Sequence, residues 1–346
     1  MNQTRLKSAS VSNSAKLTVI FILAIGSVFL SFFLGRYSIS PKEVFLLVRE
    51  RLFDMPAGLA DSSATVFFNI RLPRVISAFL VGAMLSLSGS VYQSTFKNPM
   101  VSPDILGATA GAGFGAAIGL MLNAGSVGVQ AFSFSFGLIA VLMTYVIGVV
   151  IGDKRNMTLS LVLTGLVVAA LFEAMISLIK YMADPYSKLP AITFWLMGSL
   201  ASTTYKTLPL ILIPFLIGGV PLFFLRWKIN LLSLSDEEAL SIGVNITALR
   251  RIIIICATLM TSSVVSVSGM IRWVGLIIPH IARMIVGPDN KVLLLASVLL
   301  GGTYLLLVDD VARSMTAMEI PIGILTAIIG APFFLYLIYR QRSKRQ

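Results

Sequence analysis

Charge is scarce in this chain: Asp, Glu, Lys and Arg make up 12% of its 346 residues. One cysteine, Cys256, lies inside an apolar run, which excludes an internal disulfide and a thiolate metal site. One histidine, His280, excludes a histidine-based metal cluster, so no resident metal is expected. No phosphate loop of the form G-x-x-x-x-G-K-S/T occurs, and no stretch between apolar runs is long enough for a nucleotide-binding domain. The chain therefore does not hydrolyse ATP itself. The alternating apolar and polar strands of a membrane barrel are absent too.

What is present is hydrocarbon. The sequence is 57% hydrophobic, in runs that match the roughly 20 residues a helix needs to cross a bilayer with its backbone polar groups satisfied internally. Ten spans are read at 17–35, 65–93, 105–123, 131–151, 159–182, 207–226, 250–270, 272–286, 291–311 and 322–339. The fold class is thus an all-α integral membrane protein: a tail over 1–16, one ten-helix domain over 17–340 and a tail over 341–346. An even number of crossings puts both termini on one side. That side, with Arg5, Lys7, Lys16, Arg340, Arg342, Lys344 and Arg345 in the tails, holds 16 of the 27 Lys and Arg and leaves 11 opposite, so both ends are placed in the cytoplasm. The first run, LTVIFILAIGSVFLSFFL, is too long for a signal-peptide core and lacks a small-residue cleavage site before GRYS, so it reads as a retained span. The net charge of +12 suits loops that meet anionic lipid and partners, not nucleic acid.

A transporter without a phosphate loop draws energy from a partner ATPase or from an ion gradient. Gradient coupling uses acids or histidines inside the spans, and Glu173 is the one carboxylate near the middle of a span. The stretch LLSLSDEEALSIGVNITALRR at 231–251 points toward a partner ATPase. Ser235 and Glu238 form a capping box, Asp236 and Glu237 suit a helix N-terminus, and Gly243 suits its stop, which predicts a helix over Asp236 to Ile242. A second turn or two from Asn245 leads to Arg250 and Arg251 at the membrane surface. This is the longest cytoplasmic loop and a fitting handle for a soluble motor, although an ordinary solvated loop has the same composition.

Four blocks then carry a resemblance: RLPRVISAFLVGAMLSLSGSVYQSTFKNPMVSPDILGATAGAGFGA at 71–116, FWLMGSL at 194–200, GLIIPHIARMIVGPD at 275–289 and VARSMTAMEIPIGILTAIIGAPFFLYLI at 311–338. In these the chain resembles the permease subunits of type II ABC importers, which take up iron siderophores, haem, cobalamin and, in some branches, molybdate or tungstate. The resemblance implies a homodimer with the pathway on its two-fold axis, two ATPase subunits below and a substrate-binding protein above, in a bacterial or archaeal cytoplasmic membrane. ATP and Mg would act in the ATPase, and this subunit would be neither an enzyme nor the holder of a cofactor. It implies that the loop at 231–249 seats the ATPase, through Glu238, Leu240, Gly243 and Arg250 with Ser235, Asp236, Glu237 and the nearby His280. It also implies that Arg71, Arg74 and Arg313 dock the binding protein, with lipid-headgroup anchoring as the alternative. Asp310 matches an acid of the family, whereas Asp309 stands where a small residue is more usual.

Several span residues bear on the cargo. Gly107, Gly111, Gly115 and Gly119 form a small-residue stripe that suits close helix packing, with pore lining by Gly111 and Gly115 as the other reading. The eighth span is short and is expected to break at Pro279. Arg272 in GMIRWVGL and Glu173 in LFEAMI place charge inside the membrane. Arg272 would draw in an anionic substrate and Glu173 would pair with a nearby cation, the alternative being a structural ion pair between helices. Met84, Met175, Met182 and Met197 are further pathway positions. The expected cargo is a chelated metal, with ferric siderophore first and haem, cobalamin or molybdate open. A proton-coupled secondary transporter is the rival.

Overall fold

The computed structural model describes residues 3–53, 61–152, 157–234, 236–241, 243–316 and 318–343. Within them the chain is helical throughout. Helix α1 is Gln3–Phe33, α2 Pro41–Phe53, α3 Asp61–Thr95, α4 Ala108–Met121, α5 Gly125–Ile151, α6 Met157–Met182 and α7 Lys188–Met197. Helix α8 is Leu208–Ser233, α9 Asp236–Ser241, α10 Ile246–Ser268, α11 Val274–Val286, α12 Asn290–Ser314 and α13 Ile322–Ser343. Seven helices are long and apolar enough to cross a membrane, and α4, α11 and the Ile322–Leu337 part of α13 are shorter apolar helices. These ten correspond one for one to the ten expected spans.

Burial sorts them. Helices α3, α10 and α12 are mostly buried and form the centre, while α1, α5, α6 and α8 turn most of their surface outward. The centre is held by backbone contact. A methyl group on Gly82 of α3 would run into the Gly301 carbonyl of α12, and one on Gly301 would run into the Gly82 carbonyl, so each glycine admits the other helix. The α4 stripe works in the same way against α5, where Gly111 and Gly115 face the Phe136 and Phe132 carbonyls. Gly111 and Gly115 thus pack α4 closely on α5.

Three expectations change. The second span is the middle of a 35-residue helix, about 52 Å long at ~1.5 Å per residue, which outreaches a ~30 Å hydrocarbon core. The third span is helical only over 14 residues, after a 3-10 turn at Pro103–Leu106. The eighth span does not break at Pro279; α11 runs through it, and the irregular backbone lies just before, where Gly269 and Trp273 have φ of 69° and 75°. Pro279 does leave the carbonyl four residues back, that of Gly275, without its helical donor. That carbonyl rests on Gly89 of α3, where any side chain would collide with it. The missing hydrogen bond is thus absorbed by a close helix contact instead of a kink.

Two elements escaped sequence reading. Helix α2 is short and outside the spans, and its start carries the capping box: the Ser40 N–H donates to Glu43 Oε2 at 2.6 Å and the Glu43 N–H to Ser40 Oγ at 3.3 Å. Helix α7 lies between two crossings and ends at Gly198, φ 77°, whose carbonyl accepts from the Ile322 N–H at 3.0 Å.

Candidate functional site

Three charged regions stand out against the apolar bundle: an arm after α8, an arginine cluster where α1, α3 and α12 meet, and a pair joining α6 to the segment before α11.

The arm follows α8. Lys97 Nζ donates to the Leu234 carbonyl at 2.8 Å, and α9 is then described over Asp236–Ser241. Ser235 and Ile242 lie outside the described residues, so the expected capping box and the last residue of the expected helix do too. Ala239 is fully buried and clamps α9 to the core, while Glu238 faces out. Gly243 takes φ 79° with open space around it, as the stop requires, and the Val244 N–H closes on the Ala239 carbonyl at 2.9 Å. Asn245 caps α10 directly by accepting from the Ala248 N–H at 2.9 Å. The expected second small helix is therefore the first turn of α10. Arg250 is buried within the protein, its Nη1 3.9 Å from Met157 Sδ.

Beside the arm, a cavity of about 700 Å³ is lined by Gln93, Lys97, Asn230, Ser233, Arg283 and Asn290, among others. Arg283 Nη1 donates to Gln93 Oε1 at 3.0 Å, and Asn230 ties Asp289 and Asn290 together at 2.7 and 2.8 Å. Sequence reading passed over these residues because each resembles an ordinary helix-end polar group. His280 lines a narrow gap with Pro99, Met100 and Phe334, next to the same loop.

The arginine cluster brings Arg71, Arg74 and Arg313 together, but as buried groups. They are 3%, 6% and 5% exposed, so none stands at the rim as a free docking charge or a headgroup anchor. Arg74 donates through Nε and Nη2 to Asp309 at 2.8–3.1 Å and through Nη1 and Nη2 to Glu319 at 2.8 and 2.9 Å. Arg313 pairs with Asp310, and its Nη2 also reaches the Ser31 carbonyl at 2.7 Å, while Ser31 Oγ donates to Asp310 at 2.6 Å. Arg71 donates to the carbonyls of Phe32, at 2.7 Å, and Tyr37. Asp309, the unusual residue, is what draws Arg74 inward. Burial of Glu319, on the loop between α12 and α13, works against its charge, but hydrogen bonds and charge from Arg74 outweigh burial and hold its carboxyl below the usual range.

At mid-depth, Glu173 is the 17th of the 26 residues of α6, and it meets Arg272 of the irregular 269–273 segment at 3.4 Å. Glu173 thus has its cation, and that cation is the other intramembrane charge. Asp104, on the Pro103–Leu106 turn, accepts from the Thr109 hydroxyl. Pro103 packs against Gly275, so the interruptions before α4 and before α11 meet each other inside the bundle. Nothing in the local sequence links the two breaks; only packing does. Of the methionines, Met84 is fully buried core, Met182 is exposed, and Met175 packs on the cluster holding Phe172 and Met270. Met197 sits beside Gly323 through its carbonyl. Among the described residues no group of acids, Cys and His could hold a metal ion.

Residues 22–340 match the FecCD transport family. The chain is 39% identical over 321 residues to the molybdate import system permease protein MolB of Haemophilus influenzae, covering 92% of this chain and 94% of that one. It is 44% identical over 284 residues to a probable iron chelatin transport system permease protein of Helicobacter pylori, covering 82% and 85%. A solved metal-chelate type ABC transporter in an inward-facing conformation superposes with a TM-score of 0.84 at 38% identity, covering 94% of this chain and 98% of that one. With ten apolar helices, a buried glycine-packed centre and a match along nearly its whole length, the chain belongs to the FecCD transport family of ABC importer permeases.

Proposed function

We propose that this chain forms the membrane pathway of an importer for a chelated metal, with a ferric siderophore-type chelate as the cargo. The observation that carries the cargo reading is the 44% identity to iron chelatin permeases over 82% of the chain. A second reading, import of molybdate or tungstate by the same architecture, is favoured by the 39% identity to the molybdate permease over 92% of the chain. Two copies pair about a two-fold axis in the cytoplasmic membrane, with both termini inside. A separate ATPase pair consumes ATP with Mg and seats on the arm at 231–249, where Glu238 faces out and Gly243 sets the turn.

The external binding protein sits on the outer face. Arg71, Arg74 and Arg313 serve there as the frame of the rim: they brace α1, α3, α12 and the loop carrying Glu319, so that the docking surface keeps its shape. Alternating access follows when motion of the arm is passed through α8 and α10 to the buried centre. ATP-dependent uptake of a labelled ferric siderophore and of labelled molybdate, measured in vesicles holding the permease, its ATPase and its binding protein, decides between the two cargoes. Accumulation of only molybdate would overturn the chelate reading.

A further inference from the structure

The ion pairs of this molecule are of two kinds. Arg74 grips Asp309 with two nitrogens at 2.8–3.1 Å, and the two side chains are 7% and 0% exposed. Arg272 touches Glu173 through one Nη2–Oε1 contact of 3.4 Å, and those side chains keep 51% and 57% of their surface. The only other polar contact of Arg272 is from Nη2 to Met270 Sδ at 3.9 Å, so its Nε and Nη1 donate to nothing among the described residues. A guanidinium that is half exposed, with most of its donors unused, has N–H groups left to offer water or an anion.

We propose that Arg272 is the receiving group for an anionic part of the cargo, a carboxylate or other oxyanion carried by the chelate, which replaces Glu173 on the guanidinium during passage. This rests on the importer reading above and adds to it the chemistry of the cargo. A planar fork of N–H groups fits two oxygens of one anion better than it fits the single long contact to Glu173. An exposed single-point pair shifts an equilibrium by at most about fivefold, so Glu173 yields readily. Glu173 stays beside the guanidinium as a competing anion. That competition serves transport, because a pathway site must bind well enough to admit the cargo and weakly enough to release it. The pair thereby makes the permease itself, and not only its binding protein, selective for anionic chelates.

The test is equilibrium binding of two labelled probes to the full-length chain in lipid nanodiscs: ferric citrate, which carries free carboxylates, and a ferric trihydroxamate without them. R272Q is expected to weaken ferric citrate about tenfold and to leave the trihydroxamate within about twofold. E173Q is expected to act in the opposite direction, tightening ferric citrate by up to about fivefold through loss of a competitor. A pair that merely ties α6 to the 269–273 segment gives no tightening in E173Q. Should R272Q fail to reach the membrane, E173Q decides alone. Weakened or unchanged citrate binding in E173Q, or no saturable citrate binding by the unsubstituted chain, overturns the site. ATP-dependent uptake by the complete transporter stands or falls separately and reports on the importer reading.

Discussion

Asp309 decides what Arg74 of the arginine cluster is for. With no exposed surface, and with Arg74 Nε and Nη2 on its oxygens, it turns a guanidinium that could have met another protein into an internal brace. Removing one partner from such a pair leaves a buried charge uncompensated, at about 3–5 kcal/mol. D309A should therefore lower the thermal unfolding midpoint of the detergent-solubilised chain well beyond the effect of E319A, which leaves Asp309 in place. Glu319 supplies a pH signature. Its carboxyl is held below the usual value by Arg74, so its contribution is complete at pH values above that usual value, near 4.5, and is lost as pH falls through the lower folded value. The unfolding midpoint should hold from pH 7 to about 5 and drop below about 4, and E319Q should remove that group's share of the drop. Equal acid sensitivity with and without Glu319 would contradict the pairing. At this scale the residues were legible, since Arg71, Arg74, Arg313 and the odd Asp309 were all picked out; their burial was not, because it depends on a carboxylate 235 residues from Arg74.

Among the elements, close backbone approach sets the tolerances. A methyl group at Gly82 or Gly89 meets a carbonyl of a neighbouring helix, whereas one at Gly26 meets nothing within 4 Å. G82A and G89A should each destabilise the chain by about 1–3 kcal/mol or prevent its accumulation, and G26A should be neutral or slightly stabilising, as a Gly to Ala change in an exposed helix. A chemical-denaturation series on the three variants measures this. The arm behaves differently: G243A has room for its methyl group and meets only the cost of a left-handed backbone, about 1–2 kcal/mol. E238K, which reverses an outward charge on a helix anchored by Ala239, should leave the amount of folded permease unchanged while lowering ATP-dependent uptake severalfold. Unchanged uptake would remove Glu238 from the ATPase seat. Glycine spacing marked α4 as a packing helix from the start. Pro279 pointed to a break, and the helix ran on because Gly89, nearly two hundred positions away, receives the orphaned carbonyl.

At the scale of the whole molecule, the bundle keeps α3, α10 and α12 central and holds α4 and α11 to 14 and 13 residues, and the two irregular segments before them meet inside it. Such backbone is tolerated at depth only where protein or a water-filled cavity surrounds it. A gate of this kind has no motor of its own. The purified chain in vesicles should therefore move neither ferric siderophore nor molybdate under an imposed proton gradient, and should do so once the ATPase, binding protein and ATP are added. Uptake driven by the gradient alone would favour the secondary-transport rival.

Ten apolar helices and their order follow from local facts: the length of each apolar run and the turn signals between runs. Such properties belong to one segment at a time, and the hydrophobic cost of misplacing a segment is large enough to make each of them readable. Which charges pair, which glycines touch and where two interrupted helices meet are properties of segments far apart in the chain. Arg272 finds Glu173 across 99 positions and Arg74 finds Asp309 across 235. Only packing brings those atoms within reach of one another, and electrostatic and steric energies that act over a few ångströms have no counterpart in sequence order.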